Sequence, residues 1–161
     1  GNETTPTLAS SALYHLVCNP GLMEDVRHEK VQFEIFINEV LRFYAPTQII
    51  ARTTKTDIVI GGMLIPANSL VNVGIGAANR DPDFFENPND FYLDRPKGRI
   101  LSFGHGAHHC IGASLAKQET RIIFEELFSR YKSIAISDSF IPEYRKSTHI
   151  RGLEYLPIIV N

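Results

Sequence analysis

Apolar residues return at helical intervals from close to the start of the chain. Leu8, Ala12, Leu13, Leu16 and Val17 fall three or four apart, the spacing that lines one side of an α-helix. Such a stripe beginning so near residue 1 points to a helix whose earlier turns or packing partners are absent. Asn19-Pro20 then reads as a stop and restart, with Asn19 as N-cap and Pro20 at the first helical position of a short charged helix. In "VQFEIFINEVLRFYAP", Phe33, Phe36, Ile37, Val40, Leu41 and Tyr44 share a face, and the helix stops before Pro46.

From Ile49 the period changes. "IIARTTKTDIVIGGMLIPANSLVNV" carries β-branched runs broken at Gly61-Gly62 and at Pro66-Ala67-Asn68, which predicts a small antiparallel sheet. Residues 74–100 are rich in Pro, Asn and Gly, the composition of a long loop. Phe84, Phe85, Phe91 and Tyr92 make the segment too apolar for a disordered linker, so an ordered meander is expected. "IGASLAKQETRIIFEELFSRYK" predicts a long amphipathic helix burying Leu115, Ile122, Ile123 and Leu127, and the tail predicts two short strands around a polar turn. The pattern has no repeat or internal boundary.

Bulk composition narrows the partners. With 43% hydrophobic residues over 161 positions, the chain has material for one core. A net charge of -2 carries no basic bias toward nucleic acid. The two cysteines, Cys18 and Cys110, suit a reducing compartment better than a disulfide framework. No apolar run nears the roughly 20 residues of a membrane span, and no signal peptide is evident.

The chemistry concentrates in "FGHGAHHCIG", Phe103 to Gly112. Cys110 precedes the first turn of the long helix, where unsatisfied N–H groups favour an anionic sulfur. Gly104, Gly106 and Gly112 open backbone conformations closed to other residues and allow close approach to a flat group. The residues leave four readings open. A buried structural cysteine does not explain the glycines. A zinc site would use Cys110 with His105, His108 or His109, but only Cys18 or His149 could complete the set, neither with a spaced partner. A cysteine–histidine nucleophile is spatial rather than sequential, and no other feature points to acyl chemistry. A thiolate ligand to haem iron uses the glycines and the aromatic as well.

The spacing Phe103-x-x-Gly106-x-x-x-Cys110-x-Gly112 resembles the haem-binding signature of the cytochrome P450 family. Three further stretches stand in that family's order: "GNETT" is similar to the end of its central helix motif, "EVLR" supplies a Glu-x-x-Arg pair, and "NRDP" with "FYLDR" resembles the meander before the haem loop. The resemblance covers the whole chain but only the C-terminal part of the family's fold. It implies a mainly α architecture with small antiparallel β-sheets, residues 1–161 forming the C-terminal portion of a single domain whose N-terminal half is absent.

The resemblance also implies roles. Cys110 becomes the iron ligand of haem b (iron protoporphyrin IX), with Phe103 beside the sulfur and Gly104, Gly106 and Gly112 shaping the loop. His108 and Arg52 contact haem propionates, and His105 and His109 receive no role. Glu3 and Thr4 form an acid–alcohol pair that relays protons. Glu39, Arg42 and Arg95 form a buried structural triad. Gln48, Ile49, His149 and Ile150 fall where substrate is lined, and Lys117 where an acidic redox protein docks.

The implied activity is a haem-thiolate monooxygenase that inserts one oxygen atom from O₂ into a small organic substrate. Electrons come from NAD(P)H through a ferredoxin or flavodoxin-type partner. The wording of the loop and meander resembles soluble bacterial members and implies a cytoplasmic protein. Two alternatives stand beside this. One is an inactive fragment that leaves Leu8, Leu16 and Phe36 uncovered; the other is a small zinc-binding interaction module.

Overall fold

The first apolar stripe forms helix α1 (Thr4–Val17), with Leu8, Ala12, Leu13, Leu16 and Val17 all buried. This computed structural model describes residues 2–96, 98 and 100–161, so Gly1 of the opening motif lies outside the described residues. Helix α2 (Pro20–Arg27) follows, with proline in its first turn as the sequence predicts. Asn19 stands at the N-cap position as expected, but its side chain makes no cap bond to α2: Nδ2 donates instead to the His15 carbonyl at 2.8 Å. The unpaired carbonyls in the last turn of α1 compete for the same amide, and here they win it.

Helix α3 (Phe33–Tyr44) buries Phe36, Ile37, Val40 and Leu41 against α1, and helix α5 (Ala113–Arg130) closes the core with Phe124. Leu8, Leu16 and Phe36, expected to stand uncovered, are 2%, 0% and 0% exposed. The three helices cover one another, so that expectation is corrected. Helix α5 is rotated from its expected setting. It buries Ala113, Thr120 and Phe124, while Leu115, Ile122 and Ile123 are 58%, 49% and 41% exposed and Leu127 is half-buried. Each residue advances a helix by about 100°, so the stripe through Thr120 and Phe124 is buried, with Phe124 against Phe33 and Phe36, while the stripe beside it faces an open groove. Thr120 tolerates full burial because its hydroxyl donates to the Ala116 carbonyl at 2.8 Å.

The strand region forms two separate two-stranded ladders rather than one sheet. Strands β1 (Ile49–Thr53) and β4 (Leu70–Gly74) run antiparallel, with Ile50 opposite Val73 and Arg52 opposite Val71. Strands β2 (Ile58–Ile60) and β3 (Met63–Ile65) form a hairpin turned at Gly61 and Gly62, whose φ angles of 57° and 80° require glycine-like freedom. The short helix α4 (Ile75–Ala78) leads into the meander. Phe85 is buried and Phe91 packs on the core, whereas Phe84 and Tyr92 are exposed. In the tail, β5 (Ile134–Ala135) pairs with β6 (Ile159–Val160), and single bridges join Thr47 to Ile150 and Tyr144 to Leu153.

One core contact carries a pH signature. The His15 ring stacks on Phe91 at 3.7 Å, with Nδ1 3.0 Å from the Tyr44 hydroxyl. Burial pushes His15 from its ordinary 6.5 down to about 4, against a smaller opposing pull from Glu39. The unfolded chain therefore takes up a proton near pH 6.5 that the folded chain refuses until about pH 4. The stability due to neutral His15 is fully present above pH 6.5 and is lost as pH falls toward 4. Urea midpoints across that window should drop more steeply for the native chain than for His15→Gln. Parallel slopes would reject the assignment.

Candidate functional site

The loop between Ser102 and α5 folds back on itself. The Cys110 N–H donates to the Phe103 carbonyl at 2.7 Å and the Gly104 N–H to the Leu101 carbonyl at 2.8 Å. Those two bonds form the neck, and a short 3-10 turn, Gly106–His108, forms the tip. Gly104 has φ +72°, and a Cβ there would stand 2.9 Å from the His108 carbonyl oxygen. Any other residue would face both left-handed strain and a backbone clash. The Cys110 carbonyl accepts the Ala113 N–H at 3.2 Å, tying the loop to the first residue of α5. Cys110 is an exposed free thiol beside that helix start.

The loop opens on a cavity of about 510 Å³. Helix α1 contributes Thr4, Thr5 and Leu8, α3 contributes Leu41, and β1 contributes Ile50 and Arg52. Val73 and Ile75 add apolar surface, and Phe103, Gly104, His105, His108, Cys110 and Gly112 close the loop side. Of the residues singled out from the sequence, the structure thus brings Thr4, Arg52, Phe103, Gly104, His108, Cys110 and Gly112 to one cavity. The chain supplies walls from α1 as well as from the cysteine loop.

Other singled-out residues stand elsewhere. Glu3 is exposed at the start of α1, outside the cavity lining. Gly106 takes φ +61° at the loop tip and also lies outside the lining. Gln48, Ile49, His149 and Ile150, read as substrate contacts, do not line the cavity. Side chains alternate along a strand, and the face of β1 turned inward carries Ile50 and Arg52. Gln48 donates to the Ala45 carbonyl at 2.6 Å and lines a separate small pocket with Arg80 and Arg151. His149 is exposed, and its carbonyl accepts the Gln48 N–H at 2.7 Å. Lys117 stands 3.6 Å from the Glu34 carboxylate as a surface pair.

Glu39, Arg42 and Arg95 form a buried ionic cluster. Arg42 reaches both Glu39 oxygens, at 2.8 and 2.7 Å, and Arg95 Nε donates to Oε1 at 3.0 Å. The Arg42 and Glu39 side chains are 1% and 6% exposed. The two guanidiniums also donate to carbonyls of the meander. Arg42 bonds the carbonyls of Asn79, Pro88 and Asp90, and Arg95 those of Glu86, Asn87 and Asp90. The Tyr92 N–H completes Glu39 at 2.9 Å.

Thr5, Leu8, Leu41, Ile50 and His105 were not singled out as cavity residues. Thr5 and Leu8 follow from Thr4 by helical adjacency and Ile50 from Arg52 by strand alternation, so these local signals were available. His105 lies within the loop already singled out, whereas Leu41 was not accessible in that way. Among the described residues, no group of three or more His, Cys, Asp and Glu side chains converges on a metal position. A tetrahedral zinc site thus lacks its ligand set there.

One exposed sulfur at a helix start, an apolar cavity and neighbouring cationic or N–H donors fit a planar metal macrocycle with carboxylate arms, held through a single thiolate. Comparison with known proteins agrees. The model of the family "Cytochrome P450" matches residues 1–152. The chain is 39% identical over 158 residues to the biotin biosynthesis cytochrome P450 of Bacillus subtilis, covering 98% of this chain and 40% of the relative. It is 35% identical over 159 residues to 6-deoxyerythronolide B hydroxylase of Saccharopolyspora erythraea, covering 98% and 39% respectively. A substrate-free Mycobacterium marinum cytochrome P450 superposes with a TM-score of 0.94 at 35% identity, over 100% of this chain and 42% of that one. The chain belongs to the cytochrome P450 family. It spans about 40% of the length of the curated relatives it matches. Among the described residues, no helix is long and apolar enough to cross a membrane.

Proposed function

We propose that this chain is the C-terminal, cysteine-bearing part of a haem-thiolate monooxygenase that inserts one oxygen atom from O₂ into an organic substrate. The observation that carries the reading is the single cavity shared by Cys110, Phe103, His108, Arg52 and Thr4. When bound there, haem supplies a thiolate-ligated iron that activates O₂ for O–O cleavage.

The residues of the chain divide the remaining work. Cys110 offers the sulfur, and Phe103 adds an aromatic wall to the same cavity. Arg52 and His108 offer donors to the carboxylate arms. Leu8, Leu41, Ile50, Val73 and Ile75 supply apolar wall to a hydrocarbon ring. Glu3 in solvent and Thr4 in the cavity wall make a two-residue route by which protons enter from bulk water. Electrons come from NAD(P)H through a ferredoxin or flavodoxin-type protein, and the setting is cytoplasmic.

Haem content and the reduced carbon monoxide spectrum test this reading, recorded for this chain and for the intact gene product side by side. A red-shifted thiolate band in the intact protein is expected, and its absence would overturn the assignment. A second reading holds that the chain alone does not retain haem. Exposed Leu115, Ile122 and Ile123 and the coverage of about 40% favour it. It predicts the band in the intact protein only. In the intact protein with its reductant, Thr4→Ala should release peroxide and lower product per NAD(P)H by roughly tenfold or more. An unchanged ratio of product to reductant would remove Thr4 from the proton route.

A further inference from the structure

Asn79, the C-cap of α4, is fully buried, and both the oxygen and the nitrogen of its side chain are hydrogen-bonded across the fold. Its Oδ1 accepts the Leu101 N–H at 2.8 Å, and its Nδ2 donates to Ser102 Oγ at 2.8 Å. The Ser102 hydroxyl in turn donates to the Leu41 carbonyl on α3 at 2.6 Å. The Asn79 carbonyl accepts Arg42 Nη1 at 3.1 Å. Leu101 and Ser102 are the two residues immediately before Phe103. The Leu101 carbonyl receives Gly104, and the Phe103 carbonyl receives Cys110. A continuous chain of bonds therefore runs from the Glu39–Arg42 pair through Asn79 to the backbone of the cysteine loop.

We propose that Asn79 is a positioning residue that fixes the Phe103–Cys110 loop against α3 and so sets where the Cys110 sulfur stands in the cavity. A neutral amide is what the place demands, since it must accept from one group and donate to the next. Aspartate keeps the acceptor but loses the donor and would bring a buried charge, and leucine loses both. The inference rests on the proposed function only in its spectroscopic arm. The loop placement stands on the hydrogen bonds alone.

Backbone amide exchange in the full chain tests it. Gly104 and Cys110 make no bond to Asn79, so their N–H groups report whether the loop as a whole has been released. Leu16 and Val40, inside α1 and α3, report the global fold. In Asn79→Ala, exchange at Gly104 and Cys110 should rise roughly tenfold or more while Leu16 and Val40 keep their rates. Ser102→Ala should shift the same two loop amides in the same direction, and it decides the matter if Asn79→Ala does not fold. Unchanged Gly104 and Cys110 rates would overturn the proposal. So would an equal acceleration at all four positions, which marks plain stabilisation of the fold.

In haem-loaded protein, Asn79→Asp should convert part of the red-shifted carbon monoxide band to the unshifted form, and Asn79→Ala more of it. A native-like band in both would also count against the proposal. If the native protein itself shows no such band, the proposed function fails and the exchange result still decides the role of Asn79.

Discussion

Cys110→Ala is expected to abolish the red-shifted absorbance of the reduced carbon monoxide complex. The thiolate pushes electron density onto iron, and an imidazole or water in its place does not. The control matters because the same cavity also holds His105 and His108. If either histidine were the iron ligand, Cys110→Ala would leave the spectrum as it was. His108→Ala should instead keep the band and loosen haem retention, since that residue is assigned to a carboxylate arm. A surviving band in Cys110→Ala would displace the cysteine from the centre of the reading. Neither outcome depends on substrate, so the test precedes any activity assay.

Glu39→Gln should cost about 3–5 kcal/mol of folding stability, the usual penalty for leaving a buried charge without its partner. Two guanidiniums converge on this one carboxylate, and the Arg42 side chain is 1% exposed. The glutamine would leave positive charge uncompensated beneath the meander, and that loss is a large part of the 5–15 kcal/mol typical of a domain. Urea unfolding measures it, with Glu34→Gln as the comparison. Glu34 and Lys117 stand 3.6 Å apart with Glu34 68% exposed. That pair should therefore contribute less than about 1 kcal/mol. Equal, small effects from both substitutions would show that the cluster is not energetically distinct from a surface pair.

These two residues mark what was legible without coordinates. Cys110 stands out through a local rule, the spacing of glycines and an aromatic around one sulfur. Glu39 and Arg42 stand out because i and i+3 share a helix face. Their burial, and the five meander carbonyls and one N–H gathered around the cluster, were not legible as such. Those partners lie many residues along the chain, inside a segment without periodicity.

The amino-acid sequence by itself determined helices α1, α2, α3 and α5, the hairpin turn at Gly61-Gly62, the cysteine loop and the family. Each depends on neighbours within a few residues: a 3.6 or 2.0 period, a positive φ, a fixed spacing. Only the tertiary structure decided which stripe of α5 meets the core, since Ile123 and Phe124 differ by one step of about 100°. It likewise decided that Ile50 rather than Ile49 lines the cavity, because one residue of strand register exchanges the two faces. Asn79 belongs to the same class. Its side-chain partners, Leu101 and Ser102, lie 22 and 23 residues away, and a bond across that distance exists only once the chain has folded.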